Sequence, residues 1–392
     1  MSNKRTLIGL AIGHGAHDTW YGVAPILLAS LSGEMALSNA AIAQILLLYQ
    51  LLSSFTQPFF GRLSEKIGGR PLAVISIIWT TLMFSTALFV KTTWALSLCI
   101  FLAGLGSGAF HPQAAANATA AGGQRYGATA MSLFFLGGTG GSALLGAALG
   151  GFLIDQFGRT SLLIISVVTI LIALTIVRSS TPREMPVLEE TEKKKSDGSK
   201  GKILWIPVIL LLLVMALRGL AQNAITTFVP KYQDDLGVIA SVYGLLMSMY
   251  MIANAFGGVL GAYLADRLDF RTILTGAVVG SGLLLWGANI TEGFTSQSLF
   301  VLSGFVMGPA HTLLIRTGQR RFPSSLATAS GFFMGFTFVT SAGGAWLLGL
   351  LADQRSLTLV MHMLPWIILV SGLLVIPAIW DLKPKSNQAV TE

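Results

Sequence analysis

An all-α membrane protein, with twelve transmembrane helices in two pseudo-symmetric six-helix bundles, is the fold this sequence predicts. Three observations carry it: composition, the spacing of apolar stretches, and an internal repeat. Of 392 residues, 53% are hydrophobic and only 11% are charged, with a mean hydropathy of +0.71. Soluble domains carry about 25% charged residues. Lipid therefore has to be the solvent for most of this surface. The 44 glycines fit the same reading, because membrane helices use glycine for close backbone approach.

The elements follow in chain order. A bilayer crossing needs about 20 mostly apolar residues. Such stretches lie near 5–31, 40–61, 72–90, 94–118, 126–154 and 159–178. They resume near 203–229, 240–265, 272–290, 295–318, 326–351 and 358–381. Lys4 and Arg5 before an apolar run resemble the start of a signal peptide. His14, His17 and Asp18 interrupt that run and no small-residue cleavage site follows, so a retained first helix is expected. Residues 179–202 hold Pro182, Pro186, four glutamates and Lys193-Lys194-Lys195, and cannot build a core. The expected organisation is an N-terminal bundle at 1–178, a cytoplasmic linker at 179–202 and a C-terminal bundle at 203–392.

Charge sets the orientation. With the N-terminus in the cytoplasm, 20 of the 25 Lys and Arg residues fall in cytoplasmic loops, tails or the linker. Only Lys91, Arg159, Lys231 and Arg355 face outward, and Arg218 stays inside a helix. This is the positive-inside pattern, with both termini cytoplasmic. The net charge of +8 is thus topological and gives no footprint for nucleic acid. Cys99 is the single cysteine, so no internal disulfide and no thiolate metal site can form.

The halves repeat. Leu63-Ser-Glu65-Lys66 with Arg70 recurs as Leu264-Ala-Asp266-Arg267 with Arg271. His111 recurs as His311, Asp155 as Asp353, Pro25 as Pro230, and His17-Asp18 as Gln222-Asn223. Two repeats of six helices share one orientation, the parallel-repeat plan of secondary transporters, with a substrate site at the midplane.

Intramembrane polar residues mark the candidate site. His14, His17 and Asp18 stand at i, i+3 and i+4, on one helix face. Asp18 lies about 13 residues into its helix, roughly 20 Å deep at 1.5 Å per residue. A carboxylate facing lipid there would cost several kcal/mol, so it should face the interior and exchange a proton with the histidines. The bland reading is a trio that only hydrogen-bonds neighbouring helices. Arg218 lies deep as well and is expected either to pair with Asp18 or to bind an anionic substrate group, the bland reading being that it snorkels toward an interface. His111, beside the helix-kinking Pro112 and Gln113, is expected to line the cavity, as are His311, Gln222 and Asn223. Trp20, Tyr21, Phe110 and Tyr250 are placed either to stack on a substrate or to pack helices.

Gly61-Arg62-Leu63-Ser64-Glu65-Lys66-Ile67-Gly68-Gly69-Arg70 resembles the major facilitator superfamily signature between helices two and three, with Glu65 replacing the commoner aspartate. The resemblance implies a gate formed by Gly61, Glu65 and Arg70, echoed at Asp266, Arg267 and Arg271. His14, Asp18, Gly22 and Pro25, with Gly104-Leu-Gly-Ser-Gly-Ala-Phe110-His111-Pro112, are similar to the fosmidomycin-resistance family of drug exporters. That family has a glutamate after His-Pro, where this chain has Gln113. The fifth apolar stretch, Gly137 through Gly151, resembles the antiporter glycine motif without its proline.

No Gly-Lys-Ser/Thr P-loop, His-Glu-x-x-His or paired cysteine motif occurs, so neither an enzyme, a metal site nor a cofactor is expected. The expectation is proton-coupled export, by antiport, of a small organic compound or drug through a monomer in a bacterial inner membrane. Its partners would be the substrate, protons and the lipid bilayer. A proton symporter importing an organic anion is the first alternative. A non-transporting receptor or a lipid-translocating protein is the alternative of another class.

Overall fold

The computed structural model describes residues 3–184, 205–321 and 326–382, with the side chains of 124–129, 266, 319, 326–331 and 334 set aside. Most of the expected linker, from 185 onward, lies outside the described residues, as do Lys383 and Lys385. The rest is helical, and no strand occurs among the described residues. The chain runs as α1 (Lys4–Leu31), α2 (Asn39–Ile67), α3 (Gly69–Ala87), α4 (Thr93–Gly140), α5 (Gly150–Phe157), α6 (Leu163–Ile172), α7 (Arg178–Ser180), α8 (Trp205–Asp235), α9 (Ala240–Arg267), α10 (Phe270–Ile290), α11 (Gly293–Arg321), α12 (Leu326–Gln354) and α13 (Leu357–Ile379).

Eleven of these described stretches are long and apolar enough to cross a membrane. The protein is thus a multi-pass membrane protein. α1 has the length, at 28 residues, but is not among the eleven. His14, His17, Asp18 and its glycines dilute its apolar character.

Helical backbone continues where the sequence suggests two separated stretches. α4 passes residue 123 and leads through a π-helical segment, Gly141–Leu149, into α5. The apolar spans within this run are Thr93–Gly123 and Ala130–Phe157. Gly123, with φ 64°, sits where they part. Only glycine adopts that left-handed conformation at little cost.

Two compact units form. The first comprises Met1–Thr191 and Thr226–Met249, and the second Glu192–Ile225 and Tyr250–Glu392. α8 and α9 are therefore each divided between units, and their connecting hairpin belongs to the first. Within that unit Ser241 Oγ donates to Asp155 Oδ2 at 2.8 Å, and Arg159 pairs with Glu34 at 2.8 Å.

The core of the first unit is two apolar clusters along α1. One gathers Trp20, Leu27, Leu28, Phe84 and Ile100, and the other Leu7, Leu10, Ile77, Phe110 and Phe134. His14, His17 and Asp18 fall between them in sequence. Phe55, Trp94, Ile206 and Phe294 stay largely exposed, as suits a protein solvated by hydrocarbon. Lipid tails are as apolar as leucine, so close packing rather than the hydrophobic effect joins such helices. The seam between α1 and the π-helical segment shows how close: a Cβ on Gly141 would lie 2.0 Å from Gly15 O, and one on Gly22 2.0 Å from Ser142 O. The glycine-rich fifth stretch is a packing face for α1.

Candidate functional site

The glycine seam fixes α1 in register with its neighbour. Ser142 Oγ donates to the Asp18 backbone carbonyl at 2.8 Å, which anchors the turn bearing the carboxylate. Helical spacing then puts His14, His17 and Asp18 on one face, and α4 brings His111 opposite. His14 Nε2 lies 3.0 Å from Asp18 Oδ2, His17 Nδ1 3.0 Å from Oδ1, and His111 Nε2 3.6 Å from Oδ1. Three of the residues singled out in the sequence thus converge on the carboxylate of a fourth.

The outer faces of the imidazoles are fixed as firmly. His14 Nδ1–H donates to Phe134 O at 2.8 Å, and His111 Nδ1–H to Ser107 O at 2.9 Å. His17 Nε2 meets Thr80 Oγ1 at 3.3 Å. The His14 ring stacks on Phe134 at 4.0 Å between centroids, and the His17 ring on Phe110 at 4.9 Å. Phe110 therefore packs a histidine. His14 and His17 are buried, while the side chains of Asp18 and His111 keep 21% and 27% of their exposure. The two histidines of α1 are thus enclosed, whereas Asp18 and His111 stay partly accessible. The sequence did not point to Thr80, Phe134 or Ser142. A backbone carbonyl has no sequence signal, and Thr80 is one of several hydroxyls in an apolar run.

The other candidates in this unit sit differently. Trp20 is fully buried, donates Nε1–H to Thr81 Oγ1 at 3.0 Å and stacks on Phe84. Tyr21 is exposed. Gln113 is completely buried, and neither its Oε1 nor its Nε2 has a partner among the described residues.

The second unit has its own polar cluster. Arg218 is 6% exposed and its Nε has no hydrogen-bond partner among the described residues. Tyr250 and His311 lie close enough to interact electrostatically with it. Tyr250 O–H donates to Gln222 Oε1 at 3.1 Å. Asn223, the next residue along, is half-buried. Asp18 is partnered by histidines of its own unit.

In the loop motif, Arg70 Nε donates to Thr181 O at 2.7 Å. Glu65 is exposed and forms no ion pair among the described residues. A methyl on Gly61 would meet Pro112 in ordinary contact at 3.8 Å. In the second unit Arg267 lies 4.1 Å over the Tyr263 ring, and the Arg271 backbone N–H donates to Asp269. The side chain of Asp266 lies outside the described ones. The acid that the sequence did not single out is Asp381. Arg321 grips it with both Nη atoms, at 2.8 and 2.9 Å. That hydrogen bond first, then the charges of Arg321 and Arg271, hold its carboxyl below the usual value against a smaller opposing effect of burial.

Comparison with known proteins supports this architecture. The sequence pattern of the Major Facilitator Superfamily matches residues 12–344 and 233–391. The fosmidomycin resistance protein of Escherichia coli (strain K12) is 26% identical over 370 residues, covering 92% of this chain and 90% of its own. The 4-hydroxybenzoate transporter PcaK of Pseudomonas putida is 32% identical over 145 residues, which is 36% of this chain and 32% of that protein. Among solved structures, the nucleoside transporter NupG superposes with a TM-score of 0.73 at 16% identity, over 96% of this chain and 100% of that one.

Proposed function

The chain belongs to the major facilitator superfamily of membrane transporters, and from that premise we propose that it exports a small organic compound or drug in exchange for protons. The observation that carries the reading is the convergence of His14, His17 and His111 on Asp18 within one unit. A carboxylate ringed by imidazoles can take up and release a proton while remaining partnered. Buried ionisable groups inside membrane helices mark ion and substrate paths. In this reading Asp18, His14 and His17 couple the proton. Arg218, His111, Gln113, Gln222, Asn223, Trp20, Tyr21 and His311 meet the substrate. Gly61, Glu65, Arg70, Asp266, Arg267 and Arg271 gate access. Twelve crossings in two six-helix halves, cytoplasmic termini, a bacterial inner membrane and a monomeric state complete it. The similarity to a fosmidomycin resistance protein over nearly the whole chain supports export.

A second reading, import of an organic anion with protons, draws on Arg218. A buried guanidinium with an unpartnered Nε suits a carboxylate or a similar anionic group. Both readings are tested in proteoliposomes under an imposed pH gradient. Asp18→Asn keeps the shape of the side chain and removes its charge. Gradient-driven accumulation should vanish while substrate exchange at equal pH persists. Uphill transport by Asp18→Asn would remove Asp18 as the proton carrier, and the direction of flux separates export from import.

A further inference from the structure

Tautomers decide what the cluster around Asp18 can hold. A backbone carbonyl only accepts hydrogen bonds. His14 Nδ1 faces Phe134 O at 2.8 Å, and His111 Nδ1 faces Ser107 O at 2.9 Å, closer than the Ser107 hydroxyl at 3.3 Å, so these carbonyls favour the proton on Nδ1 of each neutral ring. Both rings then aim a bare Nε2 lone pair at Asp18, itself an acceptor, from 3.0 and 3.6 Å. His17 differs. It can donate Nδ1–H to Asp18 Oδ1 and accept from Thr80 at Nε2, so it needs nothing further. Two lone pairs and a carboxylate converge, and none of the cluster's partners among the described residues of this unit is a Lys or Arg. One proton on His14 satisfies a single contact and leaves His111 facing Oδ1. A single multivalent cation satisfies all of them.

We propose that His14 Nε2, His111 Nε2 and the Asp18 carboxylate bind one divalent transition-metal ion, with His17 orienting the carboxylate. The three ligand atoms lie within 4.8 Å of one another. Bonds near 2.1 Å give ligand–ligand separations of about 3.0–3.4 Å, so a small closure of His111 completes the set. The outer shell fits too, since metal-binding histidines characteristically donate their other ring N–H to a backbone carbonyl or a carboxylate. Two imidazoles and one carboxylate favour zinc, cobalt, iron or nickel over magnesium or calcium. Two neutral ligands and one anion leave a net positive centre. Asp18 and His111 stay partly accessible, so water or an anionic ligand can complete the shell. No sequence motif announces this site because His111 comes from α4, far along the chain from α1.

The test is direct binding to the purified, tag-free transporter in detergent, with Co²⁺ as spectroscopic probe and Zn²⁺ in calorimetry. One equivalent is expected to bind, with visible d–d bands of a nitrogen/oxygen site. His111→Ala and Asp18→Asn should each weaken binding at least tenfold, and His362→Ala, in an exposed histidine remote in sequence, should leave it unchanged. Thermal melting of each variant checks that the fold survives. Absence of a one-to-one Co²⁺ complex, or unchanged affinity in a folded His111→Ala, overturns the site. The assay uses no gradient, so its failure is distinct from failure of proton coupling.

Discussion

At Asp18 three imidazoles share two carboxylate oxygens, and the chemistry of the site follows from which of them carries a proton. Gln113 poses the opposite problem. Its amide is completely buried with both polar atoms unpartnered among the described residues. Leaving a buried polar group unsatisfied costs about 1–3 kcal/mol. An apolar residue of similar size should therefore be tolerated. Gln113→Leu is expected to leave the melting temperature unchanged or raise it. If this amide meets substrate, the same variant should weaken substrate binding several-fold. A melting temperature that falls by many degrees would mean that Gln113 is satisfied within the fold. Arg218 invites the same comparison: Arg218→Lys keeps the charge but loses the fork that grips an anion in two places. Binding of an anionic substrate should fall about tenfold, read as a shift in Kd.

Among the elements, the seam between α1 and the π-helical segment is the most sensitive to a single methyl. Gly141 and Gly140 are neighbours with opposite surroundings. A Cβ at Gly141 would lie 2.0 Å from Gly15 O, whereas one at Gly140 meets nothing within 4 Å. Overpacking of this kind typically costs 1–3 kcal/mol, about that range here. Gly141→Ala should lower thermal stability and displace the α1 turn bearing Asp18, reducing coupled transport. Gly140→Ala should be neutral or gain about 0.5 kcal/mol from helix propensity. Equal melting temperatures for the two variants would show that the seam yields freely. A second joint, between α11 and the end of α13, is the Arg321–Asp381 clamp. Asp381 is held below its ordinary value, so the clamp is complete above about pH 4 and is lost only as pH falls through the lower folded value. Asp381→Asn should cost roughly 0.5–1 kcal/mol near pH 7. The gap between variant and parent should close as the pH drops below about 4, which thermal melting across pH would show.

For the whole molecule, charge rather than packing dictates orientation. The Lys and Arg asymmetry is large, and in the orientation we propose the linker and both chain ends lie on the Lys- and Arg-rich cytoplasmic side. In a Cys99→Ser background, cysteines at Ser196 and Ser386 should react with an impermeant thiol reagent only from the cytoplasmic side, and one at Thr92 only from outside. Labelling of Ser196 and Ser386 positions from opposite sides would reject an even number of crossings between them, and with it the six proposed for the C-terminal half.

Composition and apolar spacing alone determined that this is an all-helical membrane protein, because the cost of exposing peptide groups to hydrocarbon leaves few other solutions. The i, i+3, i+4 spacing likewise determined that His14, His17 and Asp18 share a face, since a helix fixes that geometry locally. The loop motif and the repeat were legible for the same reason: their residues are near in sequence or related by one offset. Only the tertiary structure decided that His111 closes on Asp18, that Arg70 reaches Thr181 instead of Glu65, and that Asp381 answers Arg321. It also decided that Gly137, Gly141 and Gly146 serve as a packing face for α1. Each of these joins distant elements through side-chain rotamers and backbone carbonyls. A carbonyl is present at every position in the chain, so only the fold determines which one a histidine meets and which lone pair is left facing the carboxylate.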